Sequence, residues 1–180
     1  NGIVINRTVT IKGNGNAIDA KRQARIFYVQ SANAVLENLT IKNANYNGDG
    51  GAIYFSSSAT SGTVSNCNFT NNTATSNGGA VCFGGGQGTV SNCNFAGNTA
   101  DYGGAVYFFN TGTVTNCNFT GNTATYNGGA LYFTYGGTVK NCNFIDNKAT
   151  DDFSFGGAAC FNDFATVTNC NFTNNKAYCG

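Results

Sequence analysis

Along most of the chain, apolar side chains recur in a short strand pattern with one extra residue set into it. In Thr63-Val64-Ser65-Asn66-Cys67-Asn68-Phe69 the apolar positions are Val64, Cys67 and Phe69, a period of two broken once. The period of two predicts strands with one face inward. The extra residue predicts a corner, and asparagine suits a corner because it tolerates the left-handed conformation. The pattern returns around Cys93, Cys117, Cys142 and Cys170, at separations of 26, 24, 25 and 28 residues, a spacing that marks stacked repeats. Leu39-Thr40-Ile41 and Val9-Thr10-Ile11 fit the frame of Cys67-Asn68-Phe69 one and two coils earlier. The chain therefore reads as an all-β parallel solenoid, single-stranded and of about seven rungs, with residues 1–180 as one domain.

Stacked rungs lie about 4.8 Å apart, so each recurring position becomes a column. Asn38, Asn66, Asn92, Asn116, Asn141 and Asn169 are expected to form an internal amide ladder at the first corner. A second column, Asn72, Asn98, Asn122, Asn147 and Asn175, marks the next corner. The pairs Gly78-Gly79, Gly103-Gly104, Gly128-Gly129 and Gly156-Gly157 then launch another strand. In that strand Val81 and Phe83, Val106 and Phe108, Leu131 and Phe133, and Ala159 and Phe161 are placed inside. Ala80 and Cys82, Ala105 and Tyr107, Ala130 and Tyr132, and Ala158 and Cys160 are placed outside. Two phenylalanine columns then fill a narrow core, each buried ring stabilising it by about 1.5–3 kcal/mol. Tyr54, Tyr107 and Tyr132 are left as an exposed aromatic ridge suited to a partner surface.

Composition narrows the chemistry. Glycine (25 residues) and phenylalanine (15) are abundant and only 9% of residues are charged, which fits neither a disordered tail nor a helical protein. No apolar run is long enough for a transmembrane helix, and the start at Asn1 without any methionine predicts a mature or excised segment. A net charge of +1 supplies no basic stripe for nucleic acid. Cations concentrate early, with Arg7, Lys12, Lys21, Arg22, Arg25 and Lys42 set against Asp19 and Glu37, so a basic beginning and a faintly acidic end are expected.

Histidine is absent, which removes a Ser-His-Asp triad, a Cys-His pair and imidazole metal ligation. Asp146, Asp151, Asp152 and Asp163 read as one solvated loop rather than a sugar-cleaving carboxylate pair, and no calcium-loop signature surrounds them. No catalytic residue, cofactor or metal site is expected.

Cys67, Cys93, Cys117, Cys142 and Cys170 occupy one core column, where an odd number cannot pair completely and parallel side chains strain a disulfide, so free thiols are expected. Cys82, Cys160 and Cys179 lie off it and are candidates for a terminal bridge or for bonds between chains. Sequons at Asn68, Asn118 and Asn171 point outward and offer N-glycosylation. Threonine and serine columns through Thr63, Thr89, Thr113, Thr138 and Thr166, and through Ser65, Ser91, Thr115 and Thr168, raise ice binding, but Lys140 interrupts the second.

Gly104-Ala105-Val106 with Phe119 to Asn122 resembles the repeat of chlamydial polymorphic outer membrane proteins. The Asn-Cys-Asn-Phe spelling and the opening Val9-Thr10-Ile11-Lys12-Gly13-Asn14-Gly15 are similar to adhesin-like surface proteins of methanogenic archaea. The resemblance implies a right-handed parallel β-helix and an extracellular, non-catalytic surface protein. The expected role is structural: a solenoid without capping helices that stacks on itself or on neighbouring surface proteins into a filament, sheath or envelope layer. The alternatives are an adhesin module that binds a cell or glycan, an ice-binding protein, and a polysaccharide-degrading enzyme.

Overall fold

The computed structural model describes residues 2–30 and 33–179; Asn1, Ser31, Ala32 and Gly180 lie outside the described residues. Short strands build four faces that the chain visits in a fixed order, turn after turn. The first face is a seven-stranded sheet of Ile3–Ile5, Phe27–Val29, Ile53–Phe55, Val81–Phe83, Val106–Phe108, Leu131–Phe133 and Ala159–Phe161. The second, also seven-stranded, comprises Val9–Lys12, Asn33–Glu37, Ser61–Ser65, Gln87–Ser91, Gly112–Thr115, Gly137–Lys140 and Ala165–Thr168. The third holds Ala17–Asp19, Thr40–Lys42, Asn68–Thr70, Asn94–Ala96, Asn118–Thr120, Asn143–Ile145 and Asn171–Thr173. The fourth has five strands, Asn45–Tyr46, Thr73–Ala74, Thr99–Tyr102, Thr123–Asn127 and Lys148–Ala149. All pairings between rungs are parallel, so the molecule is a β-solenoid of about seven turns.

Register puts like on like. Phe55, Phe83, Phe108, Phe133 and Phe161 stack with ring centroids 4.5–4.9 Å apart, and Phe69, Phe95, Phe119, Phe144 and Phe172 stack at 4.9–5.0 Å. These spacings repeat the distance between parallel strands, so each ring covers the next and little room is left for water. Gly62, Gly88, Gly112 and Gly137 keep the second face close, because a Cβ at each would meet a phenylalanine ring of the first column.

Corners are made by backbone chemistry. Asn66, Asn92, Asn116, Asn141 and Asn169 all have φ of 53–55°. At the next corner the left-handed residue is Asn71, Gly97, Gly121, Asp146 or Asn174, one position before the second asparagine column. In the glycine pairs the two residues do different things: Gly78 adopts φ 64°, whereas a Cβ on Gly79 would lie 2.2 Å from the carbonyl oxygen of Gly104 on the next rung. Past the pair, the amides of Ala80 and Val81 both donate to the Ala105 carbonyl, at 2.9 and 3.0 Å. This local kink turns Ala80, Ala105, Ala130 and Ala158 into the core, not outward as simple alternation predicts.

Two further expectations are corrected. Val9, Thr10 and Ile11 pair with Ala34, Val35 and Leu36, one face before the expected frame, and Ala17-Ile18-Asp19 lies against Thr40-Ile41-Lys42 instead. The cause is a longer corner, Gly13 to Asn16, with Asn14 and Gly15 both left-handed, in place of a single asparagine. The ladder expected from Asn38, Asn66, Asn92, Asn116, Asn141 and Asn169 is not internal, since all six are exposed. The left-handed residue lies on the convex side of the bend, where its side chain meets water.

The internal ladder is the second column. Asn72, Asn98, Asn122 and Asn147 are fully buried; the Oδ1 of Asn98, Asn122 and Asn147 each accepts two bonds from the rung before, and that of Asn72 accepts the Ala44 N–H. Asn122 Oδ1 takes the amide N–H and the Nδ2 of Asn98, both at 3.0 Å, while Asn122 Nδ2 donates to Phe95 O and Asn147 Oδ1. Among the described residues no buried side-chain polar atom lacks a partner.

Candidate functional site

The cysteine column has a structural explanation in its hydrogen bonds. After each left-handed asparagine the next N–H points inward, where no strand carbonyl is available. The sulfur of the following rung accepts it: Leu39 N to Cys67 Sγ, Cys67 N to Cys93 Sγ, Cys93 N to Cys117 Sγ and Cys142 N to Cys170 Sγ are each 3.4 Å. Each thiol in turn donates to the carbonyl two residues back, as Cys93 does to Ser91 O at 3.1 Å. Bonds shared with neighbouring thiols, reinforced by burial, push Cys93 and Cys142 far above the ordinary thiol range and keep them protonated. All eight cysteines stand as free thiols.

The three cysteines off this column differ from one another. Cys82 is 1% exposed, between Tyr54 and Tyr107 on neighbouring strands, so it cannot reach another chain without local unfolding. Burial also raises its pKa strongly. Cys160 is half-buried near Asn162, and Cys179 is exposed, its sulfur directed to the Asp152 carbonyl. Only Cys179 has the accessibility that a link between chains requires.

The expected tyrosine ridge is likewise covered. Tyr54 and Tyr107 are half-buried and Tyr132 is 9% exposed. Tyr107 stacks on Tyr132 at 5.3 Å, Tyr102 meets Tyr132 edge-on, and Tyr107 and Tyr132 hydroxyls bond Thr134 and Asn162. Burial pushes Tyr54 up to about 12 and raises Tyr107 and Tyr132.

At one end of this ridge, Arg25 is caged. Its guanidinium lies 3.6 Å from the Tyr46 ring centroid and 4.9 Å from that of Tyr54; Nε donates to Gly50 O at 3.0 Å and Nη2 to Asp49 O. Sequence spacing carries no signal of this cage, because its members come from consecutive coils. Lys12 pairs with Glu37 at 3.0 Å and Lys42 with Asp19 at 3.6 Å. The cations of the basic beginning outside these pairs are Arg7, Lys21, Arg22 and the caged Arg25.

The sequon residues Asn68, Asn118 and Asn171 are exposed, as expected, but belong to a third asparagine ladder on the outer side of the third face. Asn94, Asn118, Asn143 and Asn171 each donate through Nδ2 to the Oδ1 of the preceding rung, at 2.8–2.9 Å. A sugar on Asn118 or Asn171 would take one of the hydrogens on the nitrogen that this ladder uses.

The carboxylates do not gather. Asp146 occupies the corner before the fourth face, Asp151 and Asp152 the loop before the first, and Asp163 the loop before the second, because the coil sends each corner to a different side. Among the described residues no group of three or more acidic or cysteine side chains is placed to hold a metal.

What the structure does form is an open groove of about 920 Å³ along the solenoid axis, between the second face and the loops that enter it. Its floor is the in-register column Thr89, Thr113, Thr138 and Thr166, so these hydroxyls lie in a concavity rather than on a flat surface. Tyr135 and Phe164 stand at its wall, 47% and 95% exposed. The threonine column is legible in the sequence; the rings beside it are not, since Tyr135 and Phe164 belong to loops of unlike composition.

No curated protein and no solved structure matches the chain. The model of the right handed beta helix region matches residues 1–175, in agreement with the parallel coil and its stacked columns, and the chain belongs to that family.

Proposed function

We propose that this chain is a non-catalytic, extracellular structural solenoid that extends rung upon rung with copies of itself into a rod, as part of a cell-surface filament, sheath or envelope layer. The observation that carries the reading is the like-on-like register that each rung keeps with the next, out to the outermost described strands. Ile3–Ile5 and Val9–Lys12 at one end, and Ala159–Phe161, Ala165–Thr168 and Asn171–Thr173 at the other, each pair on one side only. Ile3, Val167 and Phe172 are exposed there, in line with buried columns. Strand edges beside apolar side chains favour addition of another β-rung, whether from a second copy or from further repeats of the same polypeptide. Charge adds a weak complement, because Asp146, Asp151, Asp152 and Asp163 outnumber Lys148 and Lys176 in the last rungs.

The family contains both polysaccharide-degrading enzymes and proteins without catalytic activity. The scattered carboxylates and the lack of histidine favour the second kind. The likeness to adhesin-like and polymorphic outer membrane proteins supports a place at the cell surface. Sedimentation and electron microscopy across a concentration series test the assembly. Rods that lengthen with concentration are expected, with reductant affecting at most contacts through Cys179; monomers at high concentration with and without reductant would end this reading. The axial groove favours a second reading, an adhesin-like module that binds a glycan.

A further inference from the structure

We propose that the axial groove binds an extended, neutral polysaccharide without cleaving it. This deepens the glycan-binding reading above and stands apart from end-to-end assembly.

The groove's volume of about 920 Å³ falls within the range of sites that accept small ligands, but it is an open trough instead of a pocket. An extended chain molecule fits such a shape. Along the floor, Thr89, Thr113, Thr138 and Thr166 repeat once per rung, about every 4.8 Å, a step close to the length of one sugar unit in an extended polysaccharide. Each hydroxyl donates and accepts, which suits the hydroxyl groups of a sugar chain.

A peptide strand suits the groove less. The backbone groups of the floor are already paired within the sheet, so none is free for strand addition.

The wall supplies the other half of sugar recognition. Tyr135 and Phe164 are exposed aromatic rings lining the same trough. Phe109 meets Tyr135 edge-on, with centroids 6.0 Å apart and planes at 86°, and so steadies that ring. Exposed aromatic faces suit the apolar C–H faces of pyranoses, which need a partner that is flat and only partly wet.

Charge selects the class of sugar. Among the described residues, Asp163 is the one charged side chain in the lining, and no cation accompanies it. A polyuronate would place a carboxylate on each unit with no countercharge to meet it and one carboxylate to repel it. Cleavage by the usual route takes two carboxyl groups flanking the bond. One is present, so retention without hydrolysis follows.

Affinity electrophoresis of the 180-residue chain through gels containing mixed-linkage β-glucan, galactomannan or arabinoxylan tests the proposal, with polygalacturonate as the anionic control. At least one neutral polymer should retard the chain, and polygalacturonate should not. Tyr135→Ala combined with Phe164→Ala should weaken that retardation by roughly tenfold. Thr113→Phe, which fills the trough at an exposed strand position, should abolish it, circular dichroism confirming that both variants fold.

Retardation by polygalacturonate alone, by none of the four polymers, or undiminished in these variants would overturn the proposal. Release of reducing ends during long incubation would overturn the claim that the groove does not cleave. Loss of binding with rods intact leaves the assembly reading standing, and binding by a chain that stays monomeric does the reverse.

Discussion

Two of the asparagine ladders that climb this solenoid lie on opposite sides of its wall. Asn72, Asn98, Asn122 and Asn147 run inside; Asn68, Asn94, Asn118, Asn143 and Asn171 run outside. Both repeat once per rung and both link amide oxygen to amide nitrogen at about 3 Å. The inner amides also accept a backbone N–H and donate to a backbone carbonyl, whereas the outer ones bond mainly each other and compete with water. Similar geometry therefore carries different energies, because a lost partner is replaced by solvent on one side and by nothing on the other.

The sharpest break of this comparison is Asn122→Ala. It strips the acceptor from two donors of Asn98 and the donor from Phe95 O, all in the dry interior, and should cost about 3–5 kcal/mol in urea denaturation.

The thiol column tests burial with a weaker acceptor. Cys117→Ala leaves the Cys93 amide without its sulfur and opens a small void, for an expected loss of about 1–2 kcal/mol. In the same region, a thiol reagent should label Cys179 first, Cys160 and Cys170 more slowly, and Cys67, Cys82, Cys93, Cys117 and Cys142 only on unfolding.

Half-burial should give a still smaller, pH-gated effect. The folded pKa of Tyr54 is about 12 against an ordinary 10.0, so its contribution is complete below pH 10 and is lost as pH rises toward 12. Thermal melts should be insensitive to this group at neutral pH and decline in that alkaline window, with phenolate absorbance appearing late.

Asn118→Ala closes the series. Removing a rung of the outer ladder should shift stability by no more than about 0.5 kcal/mol, and a loss comparable to that of Asn122→Ala would erase the distinction between the ladders.

Much of the fold is legible in the residues. The spacing of Cys67 to Cys170 sets the rung, Val64-x-x-Cys67-x-Phe69 sets the inward columns, and the glycine pairs mark a corner. Each is a local backbone requirement repeated at fixed intervals, and stacking only copies it. Val9-Thr10-Ile11 misleads because the same alternation suits the second and the third face, and the Gly13 to Asn16 turn decides between them. The asparagine columns are both visible, yet which enters the core depends on whether asparagine is the left-handed residue itself, as Asn66 is, or the residue after it, as Asn72 is.

The groove was half legible: its threonine floor recurs with the rung, while Tyr135 and Phe164 sit in loops that share no pattern.

By itself, then, the amino-acid order determined the repeat, the parallel stack, the phenylalanine columns and the lack of histidine chemistry. Those properties follow from residue type and spacing within one coil. Tertiary structure alone decided that Cys82 is sealed between tyrosines, that Arg25 is withdrawn into a cage from Tyr46 and Tyr54, and that loops raise a wall beside the threonine column. These depend on contacts between coils about 25 residues apart, where burial is set by what the neighbouring loop covers, and no periodicity in one strand encodes that.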